Sequence, residues 1–402
     1  MTESFPTDYR GWLAKLVSFN TVSSNTNLPL VYDVRDYLKT VGIEAVLVYN
    51  PEKTKANLWA TLPGEGGNTK GGLILSGHTD VVPVEGQEWD SDPFKTVEKD
   101  GKIFGRGTCD MKGFIAVVLA LTPTFLKMKR SKPVHYAFSF DEELGCKGVP
   151  FLLDYLKENN FSADCCVVGE PTDMKVITGN KAAYGWSVDV HGKPIHTSLA
   201  LMNTSCNAIE HAAKIIVKIR ETALNLRDHG TQDIEYSCPF NCMSTVIIGG
   251  GNAFNIVPEL CRFNFGMRVL DRKVAERVQS NLQTFIEESI LPEMKKEYKD
   301  AKVELKCVSE SIPFEADESA AITKHARKLV KDAEIHKMGA LTEAGYFQAA
   351  IATPSIILGP GSLENCAHKP NEFVPVAELD QCTKVLIDLA EIFTGEGSVH
   401  RL

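Results

Sequence analysis

The sequence predicts an α/β protein: an open mixed-sheet domain interrupted by a smaller inserted α+β domain. Three observations predict it. The 402 residues exceed what one compact core usually holds, the two ends of the chain alternate amphipathic helices with short apolar runs, and the middle changes to period-2 alternation. Helical spacing of apolar positions predicts helices over residues 9–19, 28–38 and 112–129, and strands are expected over 56–62, 72–76, 134–140 and 164–168. The strand runs are continuously apolar, which predicts burial on both faces. After Asn180, Tyr184, Trp186, Val188 and Val190 alternate with Gly185, Ser187, Asp189 and His191, the pattern of a sheet with one solvated face. The insert is expected to continue with a helix over 204–227, strands over 243–248 and 260–269, a helix over 272–290 and a strand over 303–308. From Phe314 the α/β rhythm returns, with a helix over 319–332, a strand over 354–358 and a last helix over 376–393. Residues 1–181 and 314–402 therefore read as one domain split by residues 182–313. Gly249-Gly250-Gly251 is too short to be a linker.

A 44% hydrophobic and 24% charged composition excludes disordered, collagen-like and disulfide-scaffold chains. With 43 basic against 52 acidic residues, the net charge of −9 gives no field that favours nucleic acid or an anionic membrane, so small solutes are the expected partners. The eleven cysteines are scattered without zinc-finger spacing, and Cys165-Cys166 is an adjacent pair, so reduced cytosolic thiols are expected. Met1-Thr2-Glu3-Ser4-Phe5-Pro6 has neither a basic nor an apolar leader region, and no run approaches the roughly 18 apolar residues of a membrane helix. A soluble, cytoplasmic protein is the expectation.

The chemistry-bearing residues fall at the ends of the predicted strands. His78 follows the strand over 72–76, Glu142 and Glu143 follow 134–140, and Glu170 follows 164–168. Strand carboxyl ends are where open α/β sheets bind ligands. Asp110 lies in the glycine-rich loop Gly105-Arg106-Gly107-Thr108-Cys109-Asp110, and His368 lies in the loop after 354–358. Imidazoles with several carboxylates suit Zn²⁺, Co²⁺ or Mn²⁺. Two ions are expected, because their charge is offset by Asp110, Glu143, Glu170 and one bridging hydroxide. Asp80, two residues beyond His78 on extended chain, points the same way, so its carboxylate is expected to orient that imidazole. Glu142 is left as the candidate general base. Each residue alone has a plainer explanation: a strand-end hydrogen bond for His78 and Asp80, a solvated loop pair for Glu142-Glu143, a turn for Glu170-Pro171-Thr172, a surface loop for His368. Their joint occurrence is the argument. Cys109 invites a thiol-nucleophile reading, but no base or oxyanion pattern accompanies it.

Ser76-Gly77-His78-Thr79-Asp80-Val81-Val82-Pro83 and Gly107-Thr108-Cys109-Asp110-Met111-Lys112-Gly113, followed by Asp141-Glu142-Glu143, Gly169-Glu170-Pro171-Thr172, Gly192-Lys193-Pro194-Ile195-His196-Thr197 and Gly359-Pro360-Gly361 through His368-Lys369-Pro370, are similar in order and spacing to one family. The chain resembles the di-zinc deacylases and peptidases, which include acetylornithine deacetylase, succinyl-diaminopimelate desuccinylase, aminoacylase and related carboxypeptidases. The resemblance covers nearly the whole chain. It implies one metal held by His78, Asp110 and Glu170 and another by Asp110, Glu143 and His368, with Asp110 bridging, Asp80 orienting His78 and Glu142 as the base. Zinc is the expected metal, with cobalt as the alternative. The resemblance also implies that the inserted domain is a lid and dimerisation domain, and that His196 reaches across a homodimer to polarise the scissile carbonyl.

Within that family, Thr342-Glu343-Ala344-Gly345-Tyr346-Phe347 and Gly359-Pro360-Gly361-Ser362 most resemble acetylornithine deacetylases. The resemblance implies an N-acyl amino acid substrate, with N2-acetyl-L-ornithine, an arginine-biosynthesis intermediate, foremost. Glu343 is then the candidate partner of the side-chain ammonium. Arg268 is the candidate for the α-carboxylate and Asn255 a nearby polar contact. Cys109, where the family commonly has a small residue, and Val269-Leu270-Asp271, where a proline-containing form is usual, depart from the pattern. Another acylated amino acid, such as succinyl-diaminopimelate, or a dipeptide is the alternative substrate. A non-catalytic, metal-stabilised binding protein is the alternative from another class.

Overall fold

The computed structural model describes residues 4–395. Met1–Glu3, part of the leader-free reading, and residues 396–402, the outer end of the expected larger domain, lie outside the described residues. The chain divides into two compact units. One contains the chain up to Gly179, Phe314–His336 and the chain from Thr342; the other contains Asn180–Pro313 and Lys337–Leu341. The last segment was expected in the larger domain. It groups with the insert, where Lys337 Nζ pairs with Asp233 at 2.8 Å and Glu235 at 3.1 Å.

The larger unit is built on a mixed sheet whose strands run in the order Ala45–Tyr49, Ala56–Leu62, Val134–Ser139, Leu73–His78, Cys165–Val168, Ser355–Ile357, Ile177–Asn180, Phe314–Glu315. The middle four strands are parallel, so their carboxyl ends emerge on one side of the sheet. Leu73–His78, Val134–Ser139 and Cys165–Val168 are buried at every residue, as their apolar runs predict. Helix Lys112–Lys127 is buried along most of its length, and its Phe114 lies so close to Gly169 that a Cβ there would sit 2.0 Å from the ring. Only glycine fits at the residue before Glu170. Helix Tyr9–Ser18 starts where Asp8 Oδ1 accepts the Gly11 N–H at 2.8 Å. The core under the sheet is formed by Trp12, Leu16, Phe114, Phe125, Tyr136 and their neighbours.

In the second unit, Cys242–Gly250, Leu260–Val269, Ala182–His191 and Lys302–Glu310 form a four-stranded antiparallel sheet in that order. Ala182–His191 alternates buried and half-buried residues without a break, as its period-2 sequence requires. Trp186, Val188, Phe263 and Phe265 belong to the core that this sheet shares with helices Ala208–His229 and Arg272–Phe285. The helix expected over 272–290 runs instead as Arg272–Phe285, a π turn at Ile286–Ile290 and a further helix Leu291–Glu297. Pro292 near the start of that last helix lacks the N–H that the regular ladder would use, so the turn widens there.

Candidate metal centre and active site

The parallel strands deliver the predicted residues to one place. His78 ends its strand and pairs in register with Ser139, three residues before Glu142, while Ser76 pairs with Val168, two before Glu170. The loop beyond Ser355–Ile357 brings His368, whose φ of 62° is a left-handed conformation unusual for a residue with a Cβ. Gly361 in the same loop has φ +94° and passes so close that a Cβ would meet Cys109 Sγ at 2.5 Å.

Asp110 lies between two imidazoles. Its Oδ1 is 2.9 Å from His78 Nε2 and its Oδ2 is 3.1 Å from His368 Nε2. Glu143 Oε2 lies 3.2 Å from His368 Nε2, and Glu170 Oε2 lies 3.9 Å from His78 Nε2. Ligand atoms of His78, Asp110 and Glu143 fall within 4.8 Å of one another, as do those of His78, Glu142 and Glu170. His78, Asp110, Glu142 and Glu170 are buried, while the His368 side chain is 48% exposed, so the cluster opens on the His368 side.

Electrostatics and hydrogen bonding both favour a cation here. Burial alone would lower the His78 pKa, but Asp110 and Glu170 against its ring carry it well above its ordinary value. Hydrogen bonds to Asp110 and Glu143 carry His368 up to about 10. Burial would raise Asp110, yet the two imidazoles hold it below the usual carboxylate range. Burial pushes Glu142, Glu143 and Glu170 upward. Protons thus do the work that a dication among these donors would do better. Glu143 Oε1 and Glu170 Oε1 are buried and find no hydrogen-bond partner among the described residues. His78 Nδ1 donates to the Asp80 carbonyl oxygen at 2.9 Å, which turns Nε2 toward the carboxylates. The donor set fits divalent metal ions.

The structure refines two predicted placements. The Asp80 carboxylate was expected to orient His78, but Oδ1 is 3.6 Å from Nδ1 and the main-chain oxygen makes that bond. The carboxylate instead accepts the backbone N–H groups of Glu142 at 3.1 Å and Glu143 at 3.3 Å, and the Ser23 hydroxyl at 2.7 Å. It holds the two glutamates and stays within ion-pair reach of the imidazole. Glu343, expected to meet a substrate ammonium, is 1% exposed, lies against Ser76 Oγ at 3.4 Å, and is pushed to about 7 by burial.

His196, Asn255 and Arg268 belong to the second unit. His196 and Ile256 form a bridge, and the Asn255 carbonyl accepts the Thr197 N–H at 3.0 Å, so the His196 and Asn255 segments are neighbours. His196 Nδ1 lies 2.8 Å from Ser198 Oγ. Arg268 is exposed on Leu260–Val269, opposite Ala183 and Cys242. The Cys109 thiol is pushed well above its ordinary pKa by a hydrogen bond to Cys366 and by burial, which opposes a nucleophilic role.

Sequence reasoning missed Glu372 and Arg106. Glu372 Oε1 accepts the backbone N–H groups of Cys109 at 2.9 Å and Asp110 at 3.1 Å, and its other oxygen pairs with Arg106. Both side chains are fully enclosed. The signal was present as Glu372 four residues after His368 and Arg106 four before Asp110, but only the fold shows that they meet.

Residues 74–392 match the family model of Peptidase family M20/M25/M40. The chain belongs to this family. It is 30% identical over 385 residues to an acetylornithine deacetylase of Pasteurella multocida (strain Pm70), covering 93% of this chain and 95% of that one. In fold it is similar to a tripeptidase from Staphylococcus aureus, with a TM-score of 0.74 and 18% identity over 96% of this chain and 97% of that one. It is also similar to the Bacillus subtilis YXEP protein, described as a dinuclear metal-binding peptidase, with a TM-score of 0.68 and 15% identity over 96% and 97% of the two chains. The M20/M25/M40 chain is a metal-dependent amidohydrolase. Among the described residues, no helix is long and apolar enough to cross a membrane.

Proposed function

We propose that this chain hydrolyses an N-acyl amino acid, N2-acetyl-L-ornithine foremost, to the free amine and a carboxylate. The observation that carries the reading is the Asp110 carboxylate with one oxygen against each of two imidazoles, beside the buried Glu142. His78, Asp110 and Glu170 would hold one divalent ion, and Asp110, Glu143 and His368 the other, with zinc the favoured metal by donor chemistry. When bound, the ions supply Lewis acidity toward the acyl carbonyl and lower the pKa of water.

The chain's own residues do the rest. Glu142, enclosed and backed by the Cys146 thiol that donates to Oε1 at 3.4 Å, takes a proton from the attacking water as the new C–O bond forms. It returns that proton to the amide nitrogen as the C–N bond breaks. His196 stabilises the oxyanion by hydrogen bonding. Arg268 binds the substrate α-carboxylate, with Asn255 as a nearby polar contact. The partner that supplies His196 is a second copy of the chain. Support for that homodimer comes from the edge strand Cys242–Gly250, where Val246, Ile247 and Ile248 are exposed. The test is hydrolysis of N2-acetyl-L-ornithine and N-succinyl-diaminopimelate after chelation and after restoring Zn²⁺ or Co²⁺. Metal-restored turnover of the acetylated substrate supports the reading. Turnover of the succinylated substrate alone, or of neither, refutes the substrate assignment.

A further inference from the structure

A second set of metal-ligating side chains converges in the inserted unit. Cys206, His211 and Glu297 offer a sulfur, an imidazole nitrogen and a carboxylate oxygen that all lie within 4.8 Å of one another. Cys206 is 0% and His211 3% exposed, and His211 Nε2 is 3.3 Å from Glu297 Oε2. The Glu297 side chain is 32% exposed, so the cluster has one wet side. Two other groupings differ in kind. The carboxylates of Asp189 and Glu304 beside His191 are already paired with Arg262, Lys302 and Lys306, and Asp332, Glu334 and His336 are not buried.

The donors come from three local structures and are held in place before any ion arrives. Cys206 precedes the helix Ala208–His229 and is pinned by two backbone bonds with Lys193, at 2.9 and 3.1 Å. Asn207 caps that helix by accepting the Ile209 and Glu210 N–H groups, which fixes the first turn carrying His211. Glu297 ends the helix Leu291–Glu297. His211 Nδ1 is buried and has no hydrogen-bond partner among the described residues, so the protein alone does not satisfy the ring.

We infer that Cys206, His211 and Glu297 form a binding site for a divalent transition metal, zinc by the chemistry of its donors, separate from the Asp110 cluster. Thiolate, imidazole and carboxylate are the zinc ligand types, and three of them leave a fourth tetrahedral position for water at the exposed edge. The ion replaces the thiol proton, which leaves to solvent, and accepts the sulfur, nitrogen and oxygen lone pairs without any redox change. Uptake is accompanied by proton release. Bound there, the metal ties the start of Ala208–His229 to the end of Leu291–Glu297.

The experiment is elemental analysis of the full-length enzyme after equilibration with zinc chloride and removal of free metal, for wild type, Cys206→Ser and Glu297→Gln. Wild type is expected to hold one zinc ion more per chain than either variant, at equal hydrolase turnover. With cobalt in place of zinc, wild type is expected to show a thiolate-to-cobalt charge-transfer band in the near ultraviolet that Cys206→Ser abolishes. The residues assigned to the Asp110 cluster offer nitrogen and oxygen donors, so loss of the band in Cys206→Ser assigns it to the Cys206 site. Glu297→Gln changes the wet edge and keeps the packing, so it serves should Cys206→Ser fail to fold. Equal zinc content in wild type and the folded variants, or a cobalt protein without the thiolate band, overturns the inference.

Discussion

Asp80→Asn separates two jobs for one carboxylate. In the structure that carboxylate accepts the backbone N–H groups of Glu142 and Glu143 at 3.1 and 3.3 Å, while His78 is held by the main-chain oxygen of the same residue. Asparagine replaces one accepting oxygen with an NH₂, so one of these enclosed N–H groups faces a donor. A buried donor left unpaired costs about 1–3 kcal/mol. If that cost is expressed in the transition state, it corresponds to roughly a 5- to 150-fold fall in kcat/KM, at about 1.4 kcal/mol per decade. The assay is steady-state hydrolysis of N2-acetyl-L-ornithine, with bound metal measured on the same sample. The expected result is a fall in kcat at full metal occupancy, because Glu142 loses its placement while the Asp80 carbonyl still orients His78. Unchanged kcat at full occupancy, with metal binding alone weakened, would assign the carboxylate to His78 and refute the reasoning.

Other perturbations reach other parts of the account. Glu372→Gln leaves the Arg106 guanidinium enclosed with only neutral acceptors such as Gln87, and should destabilise the protein by about 3–5 kcal/mol in denaturant unfolding; a loss below about 1 kcal/mol would contradict the structural role. His135 is buried against Trp59, and burial lowers its pKa from 6.5 to about 4. The unfolded chain therefore binds more protons between those values, and up to about 3 kcal/mol of stability, present above pH 6.5, is lost as pH falls through 4. His135→Gln should flatten that acid slope, and an unchanged pH profile of stability would count against it. Mixing Glu142→Gln with His196→Ala, each inactive alone, should restore turnover if the histidine acts across the dimer. Mixed dimers that stay inactive would place it within one chain.

The strongly periodic parts of the fold were legible from the sequence because burial leaves a pattern. Ala182–His191 alternates in burial as it alternates in sequence, and Leu260–Val269 begins and ends where the pattern does. Ala45–Tyr49 was missed because it lies at a sheet edge and buries little of itself. Helix Val149–Glu158 carried a usable signal, with Val149, Leu152, Leu153 and Leu156 on its buried face and Pro150 in its first turn. At the site, His78, Asp110, Glu142, Glu143, Glu170 and His368 were readable because strand ends and punctuated loops gather such residues. The division of labour within Asp80 was not, because its side chain and main chain make different bonds. Nor was the burial of Glu343, since the sequence pattern around a single carboxylate does not report how enclosed it is.

The most direct test of the central claim is Glu142→Gln, with turnover and metal content measured together. Glutamine keeps the shape and the neighbours of Glu142 but cannot take a proton from water. The account predicts full metal content and a fall in kcat of about 100- to 10,000-fold, the usual contribution of general acid–base catalysis. Turnover close to wild type with the metals bound would contradict it.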